Sequence, residues 1–199
     1  MIDRLVLASR NAGKLREFTR LLAPLAIDVI AQAELGIPDA DEPHITFVEN
    51  ALAKARHASV HARLPALADD SGVCVAALNG APGVHSARYA GAMQDSPANM
   101  TKLLQALAGV PEARRTARFR CVLVVARPLG ETLVAEGTCE GRITAAPGGS
   151  GGFGYDPIFF YPPAGKTFAE LAAAVKNQVG HRGRACAQLR PRLLEFMRV

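Results

Sequence analysis

The chain has 199 residues, a length that fits one domain or two small lobes with a sizeable buried core. Hydrophobic residues make up 49% and charged residues 21%, and the absence of an apolar run of ~18 residues excludes a helical membrane span. The net charge of +5 favours an anionic partner, either nucleic acid or a small polyphosphate, although there is no Lys/Arg block and no Trp.

The cysteines are widely scattered along the chain, and none belongs to a CxxC pair. They are Cys74, Cys121, Cys139 and Cys186. This distribution predicts reduced core thiols in a cytoplasmic protein, and neither a metal cluster nor a disulfide framework. The N-terminal residues read as the start of a strand and lack the long apolar core of a signal peptide.

The first predicted elements are a short buried strand at residues 5–8 and a helix that follows the polar loop at residues 9–14. Such a layout binds anions, because backbone N–H groups and the positive end of the helix dipole point outward. Lys14 adds a full positive charge. The spacing of a Walker A loop is absent, and a plain connection between strand and helix fits the loop equally well.

A second strand at residues 27–30 is followed by an acidic loop over residues 32–44. Residues 46–49 read Thr-Phe-Val-Glu, a capping box that opens a helix running to about Arg63. On the polar stripe of this helix, Lys54 points either into a cleft or, as is commoner for lysine, into solvent.

Residues 66–75 form an apolar run that two adjacent carboxylates, Asp69 and Asp70, interrupt. Neighbouring side chains of a strand point to opposite faces, so we expect one carboxylate to face the chemistry and the other to support a turn. A divalent cation is the usual reason for such charges, and a surface turn is the alternative. The strand is expected to end here, with a second one over residues 73–78 and a hairpin at the Asn-Gly pair of positions 79–80.

The second half of the chain alternates predicted helices and strands. A helix spans about residues 96–107, with proline at its first position. Residues 118–127 and 132–141 read as two neighbouring antiparallel strands. The tail at residues 181–199 is apolar at helical spacing, and Pro191 is expected to kink or divide it.

Residues 148–157 contain a literal GxGxxG, but the context does not fit a dinucleotide-binding fold. That motif opens a helix, whereas Pro157 and the apolar residues after it give an extended segment. We predict a flexible loop whose aromatic side chains, Phe153 and Tyr155, stack on a nucleobase.

Together these segments resemble one family, the inosine/xanthosine triphosphate pyrophosphatases that remove deaminated purine nucleotides. The matching motifs occur in order over nearly the full chain. They are residues 9–14, 46–51 with 54–55, 68–72, 80–83 with 86–89, 151–160, and Lys176 with residues 181–183. Two positions depart from the family pattern, because Gly180 stands where serine is usual and Val175 where an acidic residue is usual.

The resemblance implies an α/β fold with an elongated mixed β-sheet flanked by helices. Residues 1–199 would form a single domain of two lobes with a central substrate cleft, usually in a homodimer. The implied activity is Mg²⁺-dependent hydrolysis of ITP, dITP and XTP to the monophosphate and pyrophosphate, which cleanses the nucleotide pool. Neither a membrane nor a stable nucleic-acid partner is expected.

The resemblance also assigns roles to residues at the matching positions. Asp70 would be the catalytic carboxylate, and Glu42 and Asp70 would hold the metal ion. The triphosphate would be bound by Ser9, Arg10, Asn11, Ala12, Gly13, Lys14, Lys54 and Ser71. The base would be surrounded by Phe153, Gly154, Tyr155, Asp156, Lys176, His181 and Arg182.

Elementary chemistry supports a hydrolase on its own grounds. Phosphoanhydride hydrolysis needs charge neutralisation, an oriented water and a stabilised leaving group, and Lys14 and Lys54 supply positive charge for this. Whether Asp70 accepts the proton of the water or only binds the metal stays open. Hydrogen-bond donors around the base would favour hypoxanthine and xanthine, whose 6-keto group accepts where the amino group of adenine donates.

Two other functions compete with this one. The basic loops also suit a non-catalytic nucleotide or nucleic-acid binding module, although such a module gains nothing from a carboxylate beside phosphates. A triphosphatase that releases single phosphates is the third hypothesis.

Overall fold

The computed structural model describes residues 4–91, 95–128 and 130–198, so residues 1–3 of the predicted N-terminal strand start lie outside it. Within these ranges the chain forms seven strands and five α-helices. The strands are β1 (Arg4–Leu7), β2 (Asp28–Ala31), β3 (Ala66–Val75), β4 (Thr116–Ala126), β5 (Thr132–Ile143), β6 (Phe159–Tyr161) and β7 (Lys166–Thr167). The helices are α1 (Ala12–Leu22), α2 (Phe47–Ala62), α3 (Ser96–Ala106), α4 (Ala173–Val179) and α5 (His181–Met197).

The strands form one mixed sheet in the order β2-β1-β3-β4-β5-β6-β7. β1 pairs in parallel with β2 and β3, whereas β6 pairs antiparallel with β5 and β7. The register between β1 and β3 places Val6 opposite Ala66 and Leu7 opposite Leu67. The predicted α/β class and mixed sheet are confirmed, and β4 and β5 are neighbours as predicted.

The chain divides into two compact units, and three strands contribute to both of them. Unit 1 comprises Met1–Asp70, Cys121–Gly137 and Arg182–Val199. Unit 2 comprises Ser71–Arg120 and Thr138–His181. The boundaries therefore fall inside β3, β4 and β5.

The core of unit 1 includes β1 and the apolar face of α1. Leu5, Val6 and Leu7 are all fully buried, which is typical of a parallel strand covered on both faces. Phe18 and Leu22, one turn apart on α1, are buried as well. Burying each of these side chains stabilises the fold by about 1.5–3 kcal/mol.

The C-terminal tail is one helix, α5, that continues through Pro191. Of the two outcomes predicted for this proline, division of the tail is wrong. Proline removes one backbone hydrogen bond, but the buried side chains of Leu189, Leu193 and Met197, at four-residue spacing, hold the helix against the core of unit 1. Among the described residues, no helix combines the length and the apolar character needed to cross a membrane.

Helix α2 begins and ends where its local sequence predicts. Thr46 is the N-cap, and its hydroxyl accepts a hydrogen bond from Glu49 N at 3.3 Å. Ala51 and Ala55, one turn apart, are fully buried, so the helix backbone lies close to its neighbours. Arg63 ends the helix in the left-handed conformation, with φ of 53°.

The predicted strand end at the two carboxylates is wrong, because β3 continues through Asp69 and Asp70 to Val75. Carboxylates can stay inside a buried strand when nearby cations balance their negative charge. Asp69 and Asp70 both have such cations beside them. The Asn-Gly pair at positions 79–80 forms a turn, in which Gly80 N donates to Val75 O at 2.9 Å. Across this turn Cys74 and Pro82 form one antiparallel bridge and Val75 N donates to Ala81 O at 3.1 Å, so the hairpin is reduced to a single bridge before the 3₁₀ helix at Gly83–Arg88.

The core of unit 2 is aromatic. The ring of Phe119 lies 4.4 Å from that of Phe159 and 5.7 Å from that of Phe168, measured between centroids. Leu103 and Leu107, one turn apart at the end of α3, are buried in the same cluster. The helix predicted over residues 96–107 is thus confirmed and covers this core.

Candidate functional site

The loop after β1 leads into a capped helix N-terminus in unit 1. Asn11 is the N-cap of α1, and its Oδ1 accepts from Lys14 N at 3.0 Å, while Asn11 N donates to Ser9 Oγ at 3.2 Å. The partial positive charge of such a terminus favours an anion. The predicted order of strand, loop and helix is confirmed, with the helix beginning at Ala12. Anion binding by residues 9–14 stays a prediction.

The other residues predicted to contact phosphate have varied surroundings. Arg10 is exposed, and its Nε lies 3.3 Å from Oδ1 of Asp39. Gly13 is buried in the first turn of α1. Ser71 is half-buried within β3, immediately after Asp70. These residues remain predicted phosphate contacts.

Two lysine ammonium groups converge on one backbone oxygen in unit 1. Lys14 Nζ donates to the carbonyl oxygen of Asp69 at 3.2 Å, and Lys54 Nζ donates to the same atom at 3.0 Å. Their side chains are only 16% and 12% exposed. Lys54 therefore points inward and not into solvent. Because like charges so close together repel each other, this arrangement needs anions around it.

Three carboxylates provide that compensation. Asp69 Oδ1 lies 2.6 Å from Lys14 Nζ, while Lys54 Nζ lies 3.0 Å from Glu42 Oε2 and 3.1 Å from Asp70 Oδ1. Burial disfavours the charged form of Lys54, but Asp70 and Glu42 outweigh it and raise the pKa of this lysine. Lys54 is therefore an ammonium ion at neutral pH.

Asp69 is the centre of a buried ion network within unit 1. Its Oδ2 accepts from Arg182 Nε at 2.7 Å and from the Cys121 thiol at 3.3 Å. Arg182 Nη1 also donates to Glu17 Oε2 at 2.5 Å. Burial alone would raise the pKa of the Asp69 carboxyl, but Arg182 and Lys14 hold it well below its usual value. Asp69 is therefore a permanent anion that anchors two cations.

Asp70 has the opposite electrostatic character. Burial raises its pKa, Lys54 and Lys14 oppose that effect, and Glu42 reinforces it, so that the pKa of Asp70 lies above its ordinary value. A carboxylate with a raised pKa is a better proton acceptor at neutral pH. The two neighbours have different side-chain partners, but Asp69 supports an ion network and not a turn, and that Asp70 faces the chemistry stays a prediction.

Glu42 and Asp70, the predicted metal ligands, approach the same cation. Both carboxylates bond to Lys54 Nζ, so their oxygens lie around one positively charged position. Such hard oxygen donors fit Mg²⁺, which commonly takes one or two protein carboxylates and completes its shell with water and substrate phosphate. Within the described ranges, no cluster of three or more His, Cys, Asp or Glu side chains forms an all-protein metal cage. Metal binding by this pair stays a prediction.

Several predicted base-contacting residues gather in unit 2. Lys176 Nζ pairs with Asp156 Oδ2, and the same carboxylate oxygen accepts from Phe153 N at 2.7 Å. The ammonium group also lies 4.7 Å from the centroid of the Phe153 ring. Gly152 has φ of +71°, and a Cβ there would collide with Asp156 Oδ2. The glycine-rich loop is therefore shaped around a buried ion pair, and its literal GxGxxG leads into a short 3₁₀ helix at Asp156–Ile158 and then into β6, not into an α-helix.

Tyr155 is more buried than a stacking platform in a loop would suggest, and its stacking on a base stays a prediction. Its ring is buried in the core of unit 2, and its hydroxyl donates to Ser86 O at 2.9 Å. Burial raises the pKa of this phenol above its ordinary range. His181 is also buried, and its ring stacks on Phe119 at 4.5 Å between centroids.

Arg182 bonds to two carboxylates. Its guanidinium is buried in unit 1 with Asp69 and Glu17, whereas the neighbouring His181 belongs to unit 2. A guanidinium is well suited to satisfy such carboxylates, and contact of Arg182 with the base stays a prediction. Gly154 has φ of +62° and open space around its Cα.

Sequence reasoning missed the buried partners that orient the predicted residues. Asn50 bonds to Asp70, and Glu17 and Cys121 complete the surroundings of Arg182 and Asp69. For Asn50 a signal existed, since it precedes Lys54 by one helical turn on the same stripe. For Cys121 there was none, because a cysteine in an apolar strand reads as ordinary core.

A sequence model of the Ham1 family matches residues 5–192. The dITP/XTP pyrophosphatase of Ralstonia nicotianae is 58% identical to this chain over 198 residues, which cover 97% of this chain and 98% of that protein. The dITP/XTP pyrophosphatase of Nitrosomonas europaea is 55% identical over 190 residues, which cover 94% of this chain and 93% of that protein.

Two solved structures share the fold. A HAM1 protein from Coxiella burnetii has a TM-score of 0.87 at 46% identity, covering 96% of this chain and 98% of that one. The Staphylococcus aureus Ham1 protein has a TM-score of 0.84 at 40% identity, covering 97% of this chain and 99% of that one. The similarity thus extends over nearly the full length of each protein and is not confined to one motif.

Proposed function

This chain belongs to the Ham1 family, and from that premise we propose that it is a nucleoside triphosphate pyrophosphatase that cleanses the nucleotide pool. It hydrolyses the deaminated purine nucleotides ITP, dITP and XTP to the monophosphate and pyrophosphate. The observation that carries this proposal is the convergence of Lys14 and Lys54 beside Asp70, a carboxylate of raised pKa. The two similar dITP/XTP pyrophosphatases described above support the same activity.

Most of the residues proposed to bind the phosphate end of the substrate belong to unit 1. The N-terminus of α1, with residues 9–14, and the two lysines supply positive charge for the triphosphate and for the departing pyrophosphate. Asp69 holds Lys14 in place for this task, with 2.6 Å between its carboxylate and the ammonium group. Ser71 adds a hydroxyl next to Asp70.

Glu42 and Asp70 hold Mg²⁺, the proposed cofactor, as a carboxylate pair. When bound, Mg²⁺ neutralises phosphate charge and favours attack at phosphorus. Hydrolysis breaks the anhydride between the α- and β-phosphates, and water supplies the new oxygen. The Asp70 carboxylate is the proposed acceptor of the proton of this water.

The base binds to residues of unit 2, where the half-buried Phe153 ring offers a stacking surface. Lys176 and His181 are the proposed donors to the 6-keto group of hypoxanthine and xanthine, with Asp156 and Gly154 shaping the loop. Arg182, which also bonds to Asp69, is a third proposed contact of the base. An adenine amino group would leave a donor unpaired, and an unpaired buried group costs about 1–3 kcal/mol.

A substrate panel scored by product identity tests the proposal. ITP, dITP, XTP, GTP and ATP are each incubated with the purified chain, with and without Mg²⁺, and pyrophosphate and orthophosphate are measured separately. We expect pyrophosphate from ITP, dITP and XTP with Mg²⁺ and little from ATP. Failure to release pyrophosphate under any condition would favour the binding module, and direct release of orthophosphate would favour the triphosphatase.

A cytoplasmic homodimer is the proposed assembly. No disulfide joins the four cysteines, which fits a reducing compartment. Light scattering coupled to gel filtration should give twice the chain mass of 21.0 kDa. A mass equal to that of one chain would refute the dimer without touching the proposed reaction.

A further inference from the structure

The side chain of Asn50, on the second turn of α2, is fully buried, and its amide makes three hydrogen bonds. Its Oδ1 accepts from His44 N at 3.0 Å, and its Nδ2 donates to His44 O at 3.1 Å. The same Nδ2 donates to Asp70 Oδ2 at 3.4 Å. One buried amide therefore joins the backbone of the acidic loop to the proposed catalytic carboxylate.

These bonds determine where Asp70 and the acidic loop meet. Lys54 occupies Asp70 Oδ1 at 3.1 Å, and Asn50 occupies Oδ2, so both oxygens of the carboxylate are oriented. His44, whose backbone Asn50 holds, lies two residues after Glu42. The residue between them, Pro43, further restricts the backbone.

The other end of this loop segment is held at Asp39. Gln32 Nε2 donates to Asp39 Oδ1 at 2.5 Å, and Arg10 Nε lies 3.3 Å from the same oxygen. The segment that carries Glu42 is thus fastened on both sides. Asn50 provides one buried attachment and Gln32 another, whereas both members of the Arg10–Asp39 pair are more than half exposed.

We propose that Asn50 is a positioning residue that sets the separation of Glu42 and Asp70 and thereby the affinity of this pair for a divalent cation. The inference rests on the proposed function and adds a determinant of metal affinity to it. An amide is needed here because it offers an acceptor for His44 N and two donor hydrogens, one for His44 O and one for Asp70. Neither a carboxylate nor an apolar side chain offers both.

The chain contains a matched control, Asn99 on α3. Its side chain is also buried and also joins two backbone groups, because Oδ1 accepts from Ala90 N at 2.6 Å and Nδ2 donates to Ala87 O at 3.0 Å. Asn99 lies in unit 2 and bonds to no carboxylate through these contacts. Asn50→Ala and Asn99→Ala therefore remove similar buried hydrogen bonds, but only the first removes one to Asp70.

The test measures Mn²⁺ binding to the nucleotide-free chain by the loss of the free-ion electron paramagnetic resonance signal. We expect Asn50→Ala to weaken Mn²⁺ binding by roughly 10- to 100-fold, the usual effect of removing a group that orients a ligand. Asn99→Ala should change it less than about twofold.

The Mg²⁺ concentration for half-maximal ITP hydrolysis should also rise in Asn50→Ala, and excess Mg²⁺ should restore kcat of this variant. Thermal unfolding compares the loss of stability in the two alanine variants. Asn50→Ser, which keeps a hydroxyl group able to form a hydrogen bond, is a less disruptive variant at the same position.

Equal Mn²⁺ affinity of the wild-type chain and the Asn50 variants would overturn the inference. So would an equal loss of affinity in Asn99→Ala at similar stability, since that result indicates a structural effect. Absence of Mn²⁺ binding by the wild-type chain would contradict the premise that Glu42 and Asp70 form a cation site before a nucleotide binds. Absence of pyrophosphate release would refute the proposed function instead, and the Mn²⁺ comparison would still stand.

Discussion

Asp69 and Asp70 are neighbouring residues of the same type, but their different partners shift their pKa values in opposite directions. Both are almost completely buried, at 1% and 5% exposure, so burial alone would raise both pKa values. Arg182 and Lys14 outweigh burial at Asp69, whereas at Asp70 burial and Glu42 prevail over Lys54. Without a bound metal ion, Asp69 therefore stays ionised to lower pH than Asp70 does.

The lowered pKa of Asp69 predicts how stability depends on pH. A carboxyl whose folded pKa lies below the unfolded value of 3.8 stabilises the fold above that pH, and this contribution is lost as the pH falls through the folded pKa. Asp69→Asn should lose roughly 3–5 kcal/mol at pH 7, because Arg182 and Lys14 lose a buried partner. Its free energy of unfolding should then decline less than that of the wild type on acidification below pH 3.8.

Urea unfolding at a series of pH values measures both effects. Asp28→Asn is the control, since its ion pair with Arg4 is 3.6 Å long with both side chains more than half exposed, and it should cost under about 1 kcal/mol. Equal losses in the two variants would contradict the buried network.

Asp70→Asn should separate catalysis from stability. Removing a proton acceptor typically lowers kcat by about 100- to 10,000-fold. Because ionised Asp70 is disfavoured by burial, the neutral amide should not weaken the fold as Asp69→Asn does. Steady-state ITP hydrolysis gives kcat, and urea unfolding of the same preparation gives the free energy of unfolding. A variant that kept more than a tenth of wild-type kcat would remove Asp70 from the proton transfer.

At the scale of elements, helix ends were predictable and the interior of β3 was not. The caps of α1 and α2 are local, since Asn11 and Thr46 bond within three residues of themselves. The charges that keep β3 intact come from far away, because Lys14 is 55 residues and Arg182 113 residues from Asp69. A sequence window cannot show such partners, so the carboxylates looked like a strand end.

The candidate site divides in the same way. Motif resemblance named Lys14, Lys54, Glu42 and Asp70, which the structure brings together in unit 1. It did not show that Tyr155 is core, because exposure depends on packing against residues such as Ser86, 69 positions away. The sequence could thus name the residues that come together in unit 1, but it could not show how deeply each side chain is buried or which partner it bonds to.

The glycine-rich loop before β6 provides a prediction at this scale. Gly152 and Gly154 both have positive φ, of 71° and 62°, but a Cβ at Gly152 meets the Asp156 carboxylate and one at Gly154 meets open space. Gly154→Ala should cost about 1–2 kcal/mol from backbone strain alone. Gly152→Ala should cost more, because Asp156 must also shift from Phe153 N and Lys176.

Urea unfolding compares the two alanine variants, and KM for ITP reports the loop in Gly152→Ala. We expect the larger stability loss together with a raised KM in that variant. Equal losses of stability would mean that the Asp156 carboxylate moves aside without cost, and the ion pair would then not shape the loop.

At the scale of the whole molecule, the two units share β3, β4 and β5, each of which crosses a boundary. Unfolding one unit would break the backbone ladders of these strands partway along their length. Buried backbone groups that lose their partners cost free energy, so partial unfolding is unfavourable. We therefore expect the units to unfold together, as one cooperative transition.

The cysteines can show whether the two units unfold together, because each unit contains at least one buried cysteine. Cys121 and Cys186 are buried in unit 1 and Cys139 in unit 2, whereas Cys74 is partly exposed. Burial raises the pKa of the Cys186 thiol to about 12 and that of Cys74 above its ordinary value, so thiolate labelling of the native chain is slow and confined to Cys74. In pulsed labelling along a urea series, read by mass spectrometry, the three buried thiols should become reactive at one urea concentration. Earlier labelling of Cys139 would show instead that unit 2 opens while unit 1 persists, despite the strands they share.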